Sequence, residues 1–82
     1  MPLFLNFKNM KVSKERKKIE ANLIVKGDSL SFPVKEYIKV ARIIHNMNRT
    51  ARERREIAPE EVLYSLQRSG APEGTFFVVR NY

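Results

Sequence analysis

The stretch VKEYIKVARIIHNMNRTARER, residues 34–54, decides the fold because its apolar positions recur at steps of one, three or four residues. At about 100° per residue in a helix, such positions form one apolar stripe. That stripe consists of Tyr37, Val40, Ala41, Ile44, Met47 and Ala51. The opposite stripe holds Lys35, Lys39, Arg42, Asn46, Arg49 and Glu53. The pattern predicts one long helix that packs its apolar stripe on a sheet and exposes a mainly basic stripe.

Upstream of this helix, the stretch KIEANLIVKGDSLSFPV, residues 18–34, alternates apolar and polar residues, as a half-buried strand does. It predicts a hairpin whose turn is Gly27–Asp28, since glycine adopts positive φ at no steric cost. The first strand would bury Ile19, Ala21, Leu23 and Val25, and the second Leu30, Phe32 and Val34. Pro33 cannot donate to a sheet, which places it at an edge or at the end of its strand.

The N-terminal stretch PLFLNF, residues 2–7, predicts a further strand with Leu3, Leu5 and Phe7 on one face and Phe4 on the other. The basic stretch that follows, KNMKVSKERKK at residues 8–18, is interpreted as a continuation of the strand plus a loop, or as a short helical turn.

Downstream, IAPEEVLYSLQRSGAP, residues 57–72, predicts a second helix. Pro59 suits a first turn, where its missing N–H costs nothing, and Glu60 and Glu61 would lie at the positive end of the helix dipole. The buried face would hold Val62, Leu63 and Leu66, and Gly70 and Pro72 would end the helix. A turn at residues 72–74 and a final strand in TFFVVRNY, residues 75–82, complete the chain.

The predicted order is strand, strand, strand, helix, helix, strand. This order indicates an α+β fold, with a mainly antiparallel sheet and both helices packed on one face. The 82 residues contain no repeat or linker, so they are expected to form a single small domain, residues 1–82. The absence of cysteine excludes a disulfide-held scaffold and a thiolate metal site.

The net charge is +7 and is concentrated in two segments. Residues 1–18 hold six basic residues and one acidic residue, whereas residues 35–55 hold seven basic and two acidic residues. Residues 19–34 and 56–82 are mildly acidic. An excess of this size in a small chain favours a polyanionic partner, with a charge that only maintains solubility as the alternative.

No pattern typical of an enzyme is present. His45 is the only histidine, and no second histidine accompanies it for a metal site. The neighbouring Glu60 and Glu61 would point about 100° apart on a helix, so they do not converge as an acid–base pair. The glycines are too dispersed to cradle a phosphate. The sequence therefore predicts a non-enzymatic protein without a cofactor or a metal.

Basic residues on the long helix indicate phosphate contacts, because Lys35, Lys39, Arg42 and Arg49 recur about once per turn over about 20 Å. The run NRTARERRE, residues 48–56, extends this row, and a second basic group lies on the expected N-terminal loop. The candidate nucleic-acid-binding residues are Lys14, Arg16, Lys17, Lys18, Lys35, Lys39, Arg42, Arg49, Arg52 and Arg54. The alternative is an ordinary solvated helix face, with Glu53 and Glu56 pairing locally. The arginines of this run lie at different angles around the helix axis. Arg49 continues the basic row, whereas Arg55 would lie on the apolar stripe. Either the helix ends before Arg55, or the Arg55 side chain extends past the core to solvent.

These residues favour binding to nucleic acid, either DNA or RNA. A second hypothesis is a small accessory subunit that docks on a larger protein, or a homodimer, through an apolar sheet face bearing Ile24, Phe77 and Val79. A third is a dimeric DNA-binding transcriptional regulator. No signal peptide or membrane-spanning segment is recognised, which predicts an intracellular, cytoplasmic protein without membrane contact.

Two local likenesses are present. Residues 54–70, RREIAPEEVLYSLQRSG, resemble the loop and last helix of a histone-fold domain, but the predicted N-terminal strands occupy the place of that fold's first helix. The stretch SLSFPVKEYIKV, residues 29–40, resembles the strand and helix of a ribbon-helix-helix repressor, but the link over residues 48–58 is longer than that fold uses. Neither likeness assigns a role to a residue.

Overall fold

The computed structural model describes residues 13–82, and these residues form an α+β fold with a three-stranded antiparallel sheet. The predicted strand at residues 2–7 lies outside the described residues. The elements are α1 (Lys14–Asn22), β1 (Ser29–Pro33), α2 (Tyr37–Glu53), β2 (Tyr64–Gln67) and β3 (Thr75–Arg80), with a 3₁₀ turn at Val34–Glu36 before α2. The predicted fold class is confirmed, while the order of the elements agrees only in part.

The sheet has the order β1-β3-β2, so the strand richest in β-forming residues lies at its centre. Both neighbours pair with β3 antiparallel, with Phe32 opposite Phe76 and Leu66 opposite Val78. Pro33 is the last residue of an edge strand, as its missing N–H predicts.

Both helices pack against the same face of the sheet. The core joins apolar residues from every element, and Phe76, Val78, Val40 and Ile19 are completely buried. The rings of Phe32 and Phe76 stack with their centroids 5.9 Å apart. The core therefore fixes the positions of α1 and α2 relative to each other, and with them the positions of the two basic segments.

The long helix is confirmed, with its start shifted by the preceding 3₁₀ turn. Its C-terminus forms a Schellman motif, in which the N–H of Glu56 donates to the Ala51 carbonyl at 2.9 Å and the N–H of Arg55 to the Arg52 carbonyl at 3.0 Å. Arg55 has a φ of 61°, a conformation that glycine usually supplies at this position. Of the two alternatives for Arg55, the first is confirmed: the helix ends before it.

The predicted first strand of the hairpin is wrong, because residues 14–22 form helix α1. Ser13 caps the helix by accepting a hydrogen bond from the Arg16 N–H at 3.2 Å. Ile19 and Leu23 are four residues apart, so they share one face of a helix as well as one face of a strand. The prediction that the N-terminal basic residues lie on a loop is wrong as well. All four of them lie on this helix: Lys14, Arg16, Lys17 and Lys18. The Gly27–Asp28 turn is present, but it links α1 to β1.

The predicted second helix is also wrong, because residues 64–67 form strand β2. The Glu61 N–H donates to the Ala58 carbonyl at 3.0 Å, and the Glu61 carboxylate accepts from the Ala58 N–H at 2.8 Å, which closes a tight turn instead of opening a helix. Beyond this turn, Tyr64 and Leu66 point to the core while Ser65 and Gln67 point away, the alternation of a half-buried strand. The likeness to a histone fold ends at this strand.

Candidate nucleic-acid interface

The solvent-facing stripe of α2 is the basic row that the sequence predicts. Lys35, Lys39, Arg42 and Arg49 are all exposed. On the opposite stripe, Val40, Ile44, Met47 and Ala51 are buried, whereas Tyr37 at its start is 36% exposed. Lys35 belongs to the 3₁₀ turn, which continues the row by one turn before α2. The row therefore spans about 20 Å of surface, the length expected from the rise of a helix.

Acidic residues neutralise little of this row. Within residues 13–82, Lys39 is its only member with a carboxylate within 4.0 Å, from Glu15 at 3.4 Å, and the Lys39 side chain stays 61% exposed. The alternative of a solvated helix face expected Glu53 and Glu56 to pair with nearby basic residues. Neither glutamate forms an ion pair with any described residue. The surface of α2 therefore presents cations that the described chain does not compensate.

Helix α1 brings the second basic segment next to this row. The ion pair between Glu15 and Lys39 joins the first turn of α1 to the start of α2. Hydrogen bonding to the Glu15 backbone N–H, supported by Lys39, lowers the pKa of the Glu15 carboxyl, which favours its charged form. Lys14 and Lys17 are exposed on α1. The two basic segments therefore lie side by side.

The other two basic residues of α1 have contacts within the fold. The Lys18 ammonium lies 5.5 Å from the centre of the Phe32 ring, a cation–π distance. The Arg16 Nε donates to Glu20 at 3.3 Å, one helical turn away. The first contact directs Lys18 toward β1, and Arg16 lines a cavity with Thr50 and Arg54 from the C-terminal part of α2.

On the side of α2 that faces β2, polar side chains bind backbone groups. The buried Asn48 amide donates to the Tyr64 carbonyl at 3.0 Å and accepts from the Tyr64 N–H at 2.9 Å. The Arg52 Nε donates to the Glu61 carbonyl at 3.0 Å. The sequence predicted Arg52 only as a phosphate-binding residue and gave no role to Asn48. The one sequence feature that indicates a structural role for Asn48 is its position as a polar residue beside the apolar stripe of α2.

Arg54 lies apart from the row, at the C-cap of α2. It lines a cavity of about 180 Å³ together with Arg16 from α1 and Arg80 from β3. The sequence did not identify Arg80, because this residue lies 26 positions beyond Arg54 and only the tertiary fold brings the two to one cavity.

The sheet face directed away from the helices is less apolar than predicted. Phe77 and Val79 lie on it, half-buried, in the central strand. Their neighbours on this face are polar or small: Ser29, Ser31, Ser65, Gln67 and Thr75. Ile24 is 60% exposed but belongs to the loop after α1 and not to the sheet.

Other chemistry has little support in the described chain. In residues 13–82, no three His, Asp or Glu side chains lie close enough together to hold a metal ion. His45 is exposed beside a shallow groove between α2 and β2. Over the same residues, no helix is long and apolar enough to cross a membrane.

The sequence matches no known family model, and neither the curated proteins nor the solved structures yield a significant match. Function is therefore inferred from the residues and their geometry.

Proposed function

We propose that this chain is a non-enzymatic nucleic-acid-binding protein whose two adjoining helices contact the phosphate backbone. The observation behind the proposal is the row formed by Lys35, Arg42 and Arg49, which is exposed and has no carboxylate within 4.0 Å in the described residues. Lys14 and Lys17 are further exposed cations on α1, the helix that the Glu15–Lys39 ion pair joins to α2.

The arrangement suits electrostatic binding. Each cation that contacts a phosphate releases condensed counterions, so affinity depends steeply on salt concentration. In the described residues, Glu15 is the one carboxylate within 4.0 Å of the row, through Lys39, so ion pairing within the chain reduces this effect little. Most hydrogen bonds between proteins and DNA go to phosphate and sugar, so contacts of the row to phosphate are expected to dominate its contacts to bases.

Fluorescence anisotropy with duplex DNA, single-stranded DNA and structured RNA, measured between about 50 and 200 mM salt, tests the proposal. We expect binding that weakens steeply with salt. The double variant R42Q/R49Q should bind more weakly and lower the salt slope by about 2, since each lost phosphate contact removes about 1.

The matched control is Arg68→Gln, which removes one exposed arginine outside both helices. This variant should change the slope little. Absence of binding to all three nucleic acids at low salt, or an unchanged slope in the double variant, would refute the proposal.

A second candidate is docking on a larger protein, or on a second copy, through the outer sheet face. Phe77 and Val79 favour it because they are apolar residues on the face away from the helices. The polar frame around them makes this surface smaller than a typical stable interface requires. Sedimentation of Phe77→Ser beside the unchanged chain decides this point: a dimer that the substitution abolishes would support docking, and a monomer in both would exclude the homodimer and the dimeric regulator.

A further inference from the structure

Three arginines from three separate elements line one cavity of about 180 Å³: Arg16 of α1, Arg54 at the C-cap of α2, and Arg80 at the end of β3. Like charges repel, so their convergence on one concave surface calls for compensation. Within residues 13–82, Glu20 pairs with Arg16, whereas Arg54 and Arg80 have no Asp or Glu carboxylate within 4.0 Å. The cavity therefore has uncompensated guanidinium groups.

Arg80 is held in place by partners that are not acidic side chains. Its Nη1 donates to the Leu23 carbonyl at 3.2 Å and to the Tyr64 hydroxyl at 3.4 Å, and its Nε donates to the main-chain oxygen of Tyr82 at 3.3 Å. A guanidinium has five N–H donors, so both hydrogens of Nη2 remain without a partner among the described residues. An arginine fixed in this way loses little conformational freedom when it binds an anion.

Hydroxyl groups add further donors. The Tyr64 hydroxyl accepts from Arg80, which leaves its own hydrogen for another acceptor. Thr50, half-buried on α2 one turn before Arg54, also lines the cavity. Guanidinium forks combined with hydroxyls are the donors that bind phosphate oxygens.

The size of the cavity limits the ligand. Sites for whole small molecules measure about 300–1,000 Å³, so a cavity of about 180 Å³ admits a single charged group and not a nucleoside. Glu20 and Glu56 also line it and oppose a weakly charged anion. A phosphate monoester bears close to two negative charges at neutral pH and presents three acceptor oxygens, more than a phosphodiester offers.

We infer that the cavity between α1, α2 and β3 is a binding site for a phosphate monoester group. This site is distinct from the exposed row of α2, because none of the row residues lines the cavity. The group could be the end of a nucleic-acid strand or part of a small molecule, and the two sources share this chemistry.

Titration of the full chain with inorganic phosphate, followed by ¹H–¹⁵N NMR at constant ionic strength, tests the site. We expect saturable shifts of the backbone signals of Ala51, Tyr64 and Arg80. Arg54→Gln should weaken phosphate binding about tenfold, the effect of one lost charge-assisted hydrogen bond. Thr50→Val, which removes the hydroxyl and keeps the volume, should weaken it several-fold while the spectrum of the folded chain is retained.

The matched control is Arg68→Gln, which removes an equal charge outside both helices and outside the cavity and should leave phosphate binding unchanged. Oligonucleotides of one sequence, with a 5′-phosphate or a 5′-hydroxyl, separate the sources. A preference for the 5′-phosphate that Arg54→Gln abolishes would assign the site to strand ends. Equal affinity, with inorganic phosphate still bound, would assign it to small phosphate monoesters.

Shifts that never saturate, shifts confined to the exposed row, or unchanged phosphate binding in Arg54→Gln would overturn the inference. Failure of the proposed function is a separate result, since a chain that binds no oligonucleotide would still show the phosphate titration.

Discussion

The two sides of α2 present similar polar residues for different purposes. On the side facing β2, Asn48 binds both backbone groups of Tyr64 and Arg52 binds the Glu61 carbonyl. On the solvent side, Arg42 and Arg49 contact no backbone group or carboxylate of the described chain. The difference shows that polar residues on the side facing β2 bind backbone groups of residues 61–64 and stabilise the fold, whereas those facing solvent remain available to a ligand.

The largest expected effect comes from the buried member of this comparison. Asn48→Ala leaves the N–H and the carbonyl of Tyr64 without partners in a buried place, and each such group costs about 1–3 kcal/mol. We expect the free energy of unfolding, measured by urea denaturation, to fall by about 3 kcal/mol. Asn46→Ala, on the exposed stripe of the same helix, is the control and should change it by less than about 0.5 kcal/mol. Similar losses in both variants would contradict the distinction.

Arg52 and Arg49 lie three residues apart but on different sides of α2, so substituting each of them compares the two sides directly. Arg52→Ala removes the hydrogen bond to the Glu61 carbonyl and should lower the free energy of unfolding by about 1 kcal/mol. Arg49→Ala should leave stability unchanged and lower the salt slope of nucleic-acid binding by about 1. Urea denaturation and anisotropy on both variants check this. Equal effects of the two substitutions on both measurements would remove the distinction between the two sides.

The success of sequence reasoning depended on how many residues each periodic pattern covered. The pattern at residues 34–54 runs through several turns and fits only a helix, so α2 and its exposed row were predictable. At residues 19–23, the spacing of Ile19 and Leu23 fits a strand and a helix equally well, and the Ser13 cap decided between them. The cap itself was visible in the sequence as a serine before a run of helix-forming residues.

The helix predicted to include residues 58–67 was wrong for another reason. Pro59 and the following glutamates are a helix-start signal, yet tertiary pairing of Tyr64 with Asn48 and of β2 with β3 determines the structure there. No local pattern reports a partner 16 residues away. The cavity of Arg16, Arg54 and Arg80 was unpredictable for the same reason, since it forms only when three elements meet.

Arg55, just after the C-terminus of α2, allows a test with a smaller expected effect, in which backbone strain is compared with charge. Its φ of 61° is strained for a residue with a Cβ, and glycine adopts it readily. Arg55→Gly should raise the free energy of unfolding by about 0.5–1 kcal/mol, despite the loss of a cation near the negative end of the helix. Arg55→Ala keeps the strain and removes the same charge, so it should not stabilise the chain. Thermal unfolding of both variants measures this, and stabilisation by alanine would show that charge, not backbone strain, dominates.

The smallest effect concerns Asp28, a half-buried residue that binds backbone groups, as Asn48 and Arg52 do. Its carboxylate accepts from the N–H groups of Val25 at 3.0 Å and Ile24 at 2.9 Å, and these bonds lower the pKa of Asp28 below its usual 3.8. A carboxyl group whose pKa is lower in the folded chain than in the unfolded chain stabilises the fold at pH values above its unfolded pKa. This stabilisation is lost as the pH falls through its folded pKa. The melting temperature of Asp28→Ala should therefore lie below that of the unchanged chain at about pH 7 and pH 5, and the gap should narrow toward about pH 3. A gap of constant size over this range would mean that the negative charge of the Asp28 carboxylate does not stabilise the loop.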